Sequence, residues 1–202
     1  MATNPIAVIQ SDNARLQAEN QQLREENARM REFVEVLHDL MTKPSRLESD
    51  AELLPLLRDI FYKMMGVLNA PDGSLLLLDE DTNELVFVLV GGDLAPNLTG
   101  YRIPADEGIA GWVVRHSEPA LVRDVRRDQR FSHMIDEAFK FRTQSIIAAP
   151  LIGNQKVYGL IEALNQPGDE PFSESDAAFL GLLCRAAGER LADIDRNKPE
   201  GV

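Results

Sequence analysis

Ser145-Ile-Ile-Ala-Ala-Pro-Leu-Ile-Gly-Asn-Gln-Lys-Val-Tyr-Gly-Leu-Ile-Glu-Ala-Leu164 is the most informative run of the chain. Two apolar segments, residues 145–152 and 156–164, flank a Gly153-Asn154 turn, the pattern of an antiparallel β-hairpin. One residue breaks the apolar character of the second strand. Glu162 lies between Leu160 and Leu164 on one face, and Tyr158 shares that face. A buried carboxylate without a partner is costly, so Glu162 must find a donor or a proton. Arg142, Thr143 and Ser145, at the start of the neighbouring strand, are the natural donors. Two readings stand side by side: a structural pairing, or a polar group in an otherwise apolar ligand pocket.

Upstream, residues 75–78 and 85–90 form a second hairpin around Asp79-Glu-Asp-Thr-Asn83. A short strand at 101–103 follows, then a short helix at 108–114 and a brief strand at 120–122. Residues 123–143 are polar, anchored by Phe131, Phe139 and Phe141. Ser173-x-x-Asp176 caps a last helix running to about Ile194, and Ser49-x-x-Glu52 is a capping box for an earlier one. The apolar face of that earlier helix comprises Leu53, Leu54, Leu57, Ile60, Phe61, Met64 and Leu68. Two hairpins enclosed by a first and a last helix make an α+β domain over residues 51–195. Residues 44–50 read as a linker and 196–202 as a flexible tail.

The first 43 residues obey a different rule. Ile9, Leu16, Leu23, Met30 and Leu37 recur every seven residues, as do Ile6, Asn13, Asn20, Asn27, Val34 and Met41. The second series occupies a and the first d of a coiled-coil heptad. Asn at three successive a positions favours a partner Asn opposite, which a parallel dimer supplies. Glu19 and Glu26 at g precede Arg24 and Arg31 at the next e, the spacing of interchain pairs. Such exposed pairs are worth at most ~1 kcal/mol each, so they orient the strands more than they stabilise them. Lys43-Pro44-Ser45 ends the helix.

The chain has 202 residues, a formal net charge of −12 and one cysteine, Cys184. The acidic balance argues against nucleic acid as the main partner. No run approaches the roughly 18 apolar residues of a membrane span. The polar N-terminal stretch lacks the form of a signal peptide, so a cytoplasmic protein is expected. One cysteine excludes an intramolecular disulfide and a Cys-based zinc cluster. Cys184, three and four residues from Ala187 and Leu180 on the last helix, reads as core. His38, His116 and His133 share no ligand spacing, so no metal site is expected. Neither a phosphate-binding glycine loop nor a G-x-S-x-G turn occurs.

Four blocks in order resemble the GAF domain family: residues 107–114, 124–131, 141–150 and 157–165. The resemblance implies a six-stranded antiparallel sheet with the terminal helices on one face and a ligand pocket on the other. It also implies a sensory or regulatory role. Cyclic-nucleotide members carry Asn-Lys, a later Phe, then three residues and Asp-Glu. Asn165, Phe172 and Asp176 match that motif here, whereas Gln166 and Ala177 replace its Lys and Glu. Bilin-binding members use a pocket Cys, and none lies in the pocket loops.

The expected pocket walls are Leu76, Leu78, Gly111, Trp112, Phe131, Phe139 and Leu160. The expected polar contacts are Asp124, Arg127, Arg142, Thr143, Ser145 and Glu162. With two cations and two anions, that set suits a small polar or zwitterionic ligand. Asp124 and Arg127 have a second reading, as a pair that pins the loop following them. The expected protein is a non-catalytic sensory module, dimeric through Asn13, Leu16, Asn20, Leu23, Asn27, Met30 and Leu37. It would bind an unidentified small molecule and signal to a partner protein, with no identifiable cofactor. The alternatives are a ligandless dimerisation scaffold and an enzyme like the free-methionine-sulfoxide reductases.

Overall fold

The computed structural model describes residues 5–42, 53–92, 95–167 and 171–196. The chain divides into two compact units, residues 1–35 and 36–202. The expected break at Lys43-Pro44-Ser45, the capping box Ser49-x-x-Glu52 and the tail beyond Arg196 lie outside the described residues.

Residues 5–35 belong to one continuous helix, α1 (Pro5–Thr42). Its a and d residues face solvent in the single chain: Leu16, Leu23 and Met30 are each about half exposed. The side-chain amides of Asn20 and Asn27 donate to the carbonyls of Leu16 and Leu23 at 3.0 and 2.9 Å. Glu19 pairs with Arg15 of its own helix at 3.1 Å.

The second unit is a six-stranded antiparallel sheet in the order β3-β2-β1-β6-β5-β4. Its strands are β1 (Asp72–Asp79), β2 (Glu84–Gly91), β3 (Arg102–Pro104), β4 (Ala120–Val122), β5 (Ile146–Gly153) and β6 (Lys156–Leu164). The β5–β6 hairpin closes through Asn154 and Gln155 at φ 48° and 63°. Positive φ at both positions gives a turn whose twist matches the strands it joins. Pro150 sits beyond the stretch of β5 that β4 covers, so its missing N–H breaks no pairing with β4.

The helices are α2 (Leu53–Val67), α3 (Ala95–Leu98), α4 (Gly108–His116), α5 (Met134–Phe139) and α6 (Glu174–Arg196). Alternation along the strands divides the core. Ile109, Ala110 and Val113 of α4 join Leu76, Phe87, Ile146, Ala148 and Leu160 on one face. On the opposite face α6 approaches until a Cβ at Gly188 would lie 2.3 Å from the Ile152 oxygen. Phe61 and Met65 of α2 lie against Gly91 and Gly73 at the β1–β2 side.

The last turns of α1 dock on this domain through Val36 and Leu40, both buried. Arg190 of α6 donates to the Leu40 carbonyl at 3.3 Å, and Lys63 of α2 meets Asp39 at 2.9 Å and Asp59 at 3.1 Å. Val36 and Leu40 occupy c and g of the heptad. Docking of this last stretch therefore uses a flank of the helix, and Met41 of the a series is exposed.

Candidate functional site

Between the α4 face of the sheet and α5 lies a cavity of about 90 Å³. Its floor is β1, β2 and β6, with Ser74, Phe87, Val90 and Glu162 turned towards it. Gly108, Ile109 and Ala110 at the start of α4 form one wall. The segment holding Phe131, Met134, Ile135, Asp136 and Phe141 forms the other. The lining is mostly apolar with a few polar groups, the usual make-up of a small-molecule site.

Glu162 is the polar centre of the floor. Ser74 pairs with it on β1 and Ala148 on β5. The Ser74 hydroxyl donates to its carboxylate, yet burial in this apolar setting pushes the acid up to about 7. Glu162 is not sealed from solvent altogether: it is part-buried and lines the cavity. The donors expected for it do not reach it. β5 begins at Ile146, which pairs with Leu164, so residues 142–145 lie past the strand end. Thr143 does line the cavity, but its hydroxyl and N–H donate to Asp136 at 2.6 and 3.0 Å. Arg142 is exposed, and its carbonyl accepts from Asn165 at 3.0 Å. Ser145 is buried outside the lining, its carbonyl accepting from the Asn165 N–H. Tyr158 leaves Glu162's face and donates to Asp195 of α6, because the register shift opposite Leu151 and Ile152 re-phases the strand.

Of the other expected contacts, the structure brings Phe131 to the cavity along with Thr143 and Glu162. Gly111 is a packing point: a Cβ there would lie 2.7 Å from the Asp106 carbonyl carbon. Trp112 stacks on His116 at 4.5 Å and lies under the Arg130 guanidinium, also 4.5 Å from its ring. Phe139 meets Tyr101 edge-on. Asp124 accepts from Arg126 and caps its own 3-10 turn, while Arg127 projects into solvent with its side chain 88% exposed. Leu76, Leu78 and Leu160 pack in or against the core cluster and do not line the cavity.

The expected balance of two cations and two anions is therefore replaced. The charged lining residues are Asp72, Glu107, Asp136 and Glu162, and among the described residues no Lys, Arg or His lines the cavity. Asp72 and Asp136 escaped sequence reasoning because they are far apart in the chain and carry no motif, and Phe141 reads in the sequence only as a loop anchor. α5 lay hidden in a stretch that looks like loop.

The matched residues of the cyclic-nucleotide motif hold the fold. Asn165 accepts from the Gln144 N–H at 2.7 Å and ties the start of β5 to the end of β6. Phe172 is fully buried. Asp176 accepts from the N–H and hydroxyl of Ser173, capping α6. Cys184 is fully buried on the α6 side of the sheet, away from the cavity lining, and burial pushes its thiol well above the ordinary range. Among the described residues no group of three His, Cys, Asp or Glu side chains is placed to hold a metal ion.

This chain belongs to the GAF domain family, whose model matches residues 52–191. It is 26% identical over 166 residues to a dual 3′,5′-cyclic-AMP and -GMP phosphodiesterase 11A of Takifugu rubripes, covering 77% of this chain and 18% of that relative. Its fold is similar to the GAF domain of a phosphoenolpyruvate-protein phosphotransferase from Acinetobacter. That likeness has a TM-score of 0.66 and 20% identity, over 84% of this chain and 96% of the other. It is also similar to free methionine-R-sulfoxide reductase from Neisseria meningitidis, solved with its substrate. There the TM-score is 0.64 at 20% identity, over 81% of this chain and 90% of the other.

Proposed function

We propose that this chain is a non-catalytic GAF regulatory module that binds a small molecule between its sheet and α4–α5. It dimerises through the heptad of α1 and passes the ligand's effect to a partner protein in the cytoplasm. The observation that carries this reading is the cavity: an apolar pocket with a buried carboxylate on its floor. Such a group is retained at a cost to stability, which a ligand contact would offset. The route outward runs through α6, whose Arg190 holds the Leu40 carbonyl at the end of α1.

A cyclic nucleotide suits the site poorly. Its phosphate would meet an acidic lining, and the motif residues present are engaged in structure. A reductase reading has no support from Cys184, buried on the α6 side of the sheet. Native mass spectrometry of gently purified full chain tests the proposal in one measurement. A dimer carrying a stoichiometric small-molecule adduct is expected. A monomer, or a dimer free of adduct that responds to no added small molecule, would leave the scaffold reading or none.

A further inference from the structure

Taking the cavity as the ligand site, we infer that its occupant is a small organic cation, a protonated amine on a compact apolar body. Its ammonium would sit on Glu162 and its body among Phe87, Phe131 and Phe141. The inference rests on the charge inventory of the lining and on where each carboxylate is committed.

Asp136 is held by Thr143 through two hydrogen bonds. Asp72 lies against the Gly92 backbone, where a Cβ would meet its carboxylate oxygen at 2.0 Å. Glu162 differs. The Ser74 hydroxyl meets it from β1, while Ala148, its neighbour on β5, has no donor in its side chain. A carboxylate has about four acceptor sites, so capacity remains on the cavity side. The groups around that space are apolar or acidic. An ammonium would find an ion partner in Glu162 and favourable aromatic faces in the three Phe rings. An anion would find no side-chain cation in the lining, and Glu107 places a further negative charge just ahead of the first N–H groups of α4. A zwitterion would satisfy one end and strand the other.

Size limits the body. A cavity of 150 Å³ in another protein takes benzene, so 90 Å³ suits a compact group unless a wall yields. The wall able to yield is α5, which contributes Met134, Ile135 and Asp136 to the lining yet has no buried residue of its own.

Amine binding would also be linked to protons. Glu162 is faced by Ser74 on β1, Ala148 on β5, and the cavity carboxylates Asp72, Asp136 and Glu107. An arriving ammonium would therefore convert its protonated form to the carboxylate and release a proton near pH 6. Affinity for the amine would then rise with pH up to about 7 and level off.

The test uses three probes of one shape and different charge, namely benzylamine, benzyl alcohol and benzoate. They are titrated into the full chain while methyl resonances of Ile109, Met134 and Ile146 are followed by NMR at pH 6 and pH 8. Benzylamine is expected to bind at least about tenfold more tightly than benzyl alcohol at pH 8 and benzoate not at all. The preference should shrink at pH 6 and vanish in Glu162→Gln, while benzyl alcohol still binds that variant. Continued binding of benzyl alcohol by Glu162→Gln guards against a misfolded variant. If benzyl alcohol matches benzylamine and Glu162→Gln changes neither, the cation assignment falls and the ligand site stands. Tighter binding of benzoate overturns the assignment as well. If none of the three, nor isobutylamine as a cation small enough for 90 Å³, perturbs the cavity methyls at millimolar concentration, the assignment and the ligand-site reading fall together.

Discussion

Ser74 on β1 stands directly across from Glu162 on β6, and its hydroxyl is the hydrogen-bond donor to a carboxylate that burial raises to about 7. The consequence for stability has a definite sign. Between the ordinary value of 4.5 and about 7, the folded chain holds this proton while the unfolded chain has released it. Stability therefore falls as pH rises through that window and is flat above it. The whole effect is about 3 kcal/mol at most. Glu162→Gln should remove this slope and raise stability at pH 8 relative to the parent. Asp124 and Asp128, held low by Arg126 and Arg130, have the opposite sign, and their stabilisation is lost only in more acid solution. Urea unfolding of both proteins at pH 5 and pH 8 checks it. An unchanged slope in the variant would mean Glu162 is ionised throughout.

Two helix glycines should respond in opposite directions to an added methyl. A Cβ at Gly188 would meet the Ile152 backbone at 2.3–2.4 Å, and backbone on both sides leaves it no room. Gly188→Ala should cost about 3 kcal/mol by forcing α6 off the sheet. At Gly181, on the same helix, the nearest group is the Pro119 side chain at 3.5 Å, an ordinary contact. Gly181→Ala should then gain up to about 1 kcal/mol from helix propensity. Thermal unfolding of the two variants, compared with the parent, separates packing from propensity within one element.

The sheet was legible in the sequence because its signals are local. Alternating apolar runs and turn residues mark both hairpins, and the β5–β6 pair formed as expected, with its turn one residue later than Gly153-Asn154, at Asn154 and Gln155, because Gly153 still pairs with Lys156. The site was less legible because it is built from segments far apart in the chain. Asp72 meets Asp136 and Phe141 only after the sheet closes, and no spacing rule announces that meeting. Arg127 misled through its chemistry: a cation in a family block suggests a ligand contact, but Asp124 three residues earlier is its partner. Glu162 was readable because a lone carboxylate in an apolar strand conflicts with its surroundings. Its donor was not, since strand pairing across the sheet, rather than proximity in sequence, brings Ser74 to it.

Cys184 should be chemically inert while the chain is folded. Its side chain is fully buried against the sheet, where it contacts the Ile161 backbone, and desolvation disfavours the thiolate. A thiol-reactive dye should label it at the rate of global unfolding, with full labelling in denaturant. Cys184→Ser should lower stability by about 1–2 kcal/mol through burial of a hydroxyl. The benzylamine titration should be unaltered by that change. Rapid labelling of the native chain would contradict the packing.

The heptad of α1 offers the last test. Leu16, Leu23 and Met30 expose an apolar stripe, and Asn20 and Asn27 in the same seam spend their amides on carbonyls of their own helix. In a parallel dimer those amides would turn to the partner's Asn, which fixes register and favours two strands at a cost in stability. The docking residues Val36 and Leu40 occupy c and g of the heptad, off its a and d positions. Replacing Asn13, Asn20 and Asn27 together by Leu should therefore raise the thermal midpoint of the helix. It should also let species larger than dimers appear in sedimentation equilibrium. Replacing Leu16 and Leu23 by Asp should give monomers whose GAF domain stays folded by near-ultraviolet circular dichroism. A triple Leu variant that remains strictly dimeric would remove the Asn residues from the control of strand number. A Leu16→Asp, Leu23→Asp chain that still dimerises would place the interface elsewhere than on this seam.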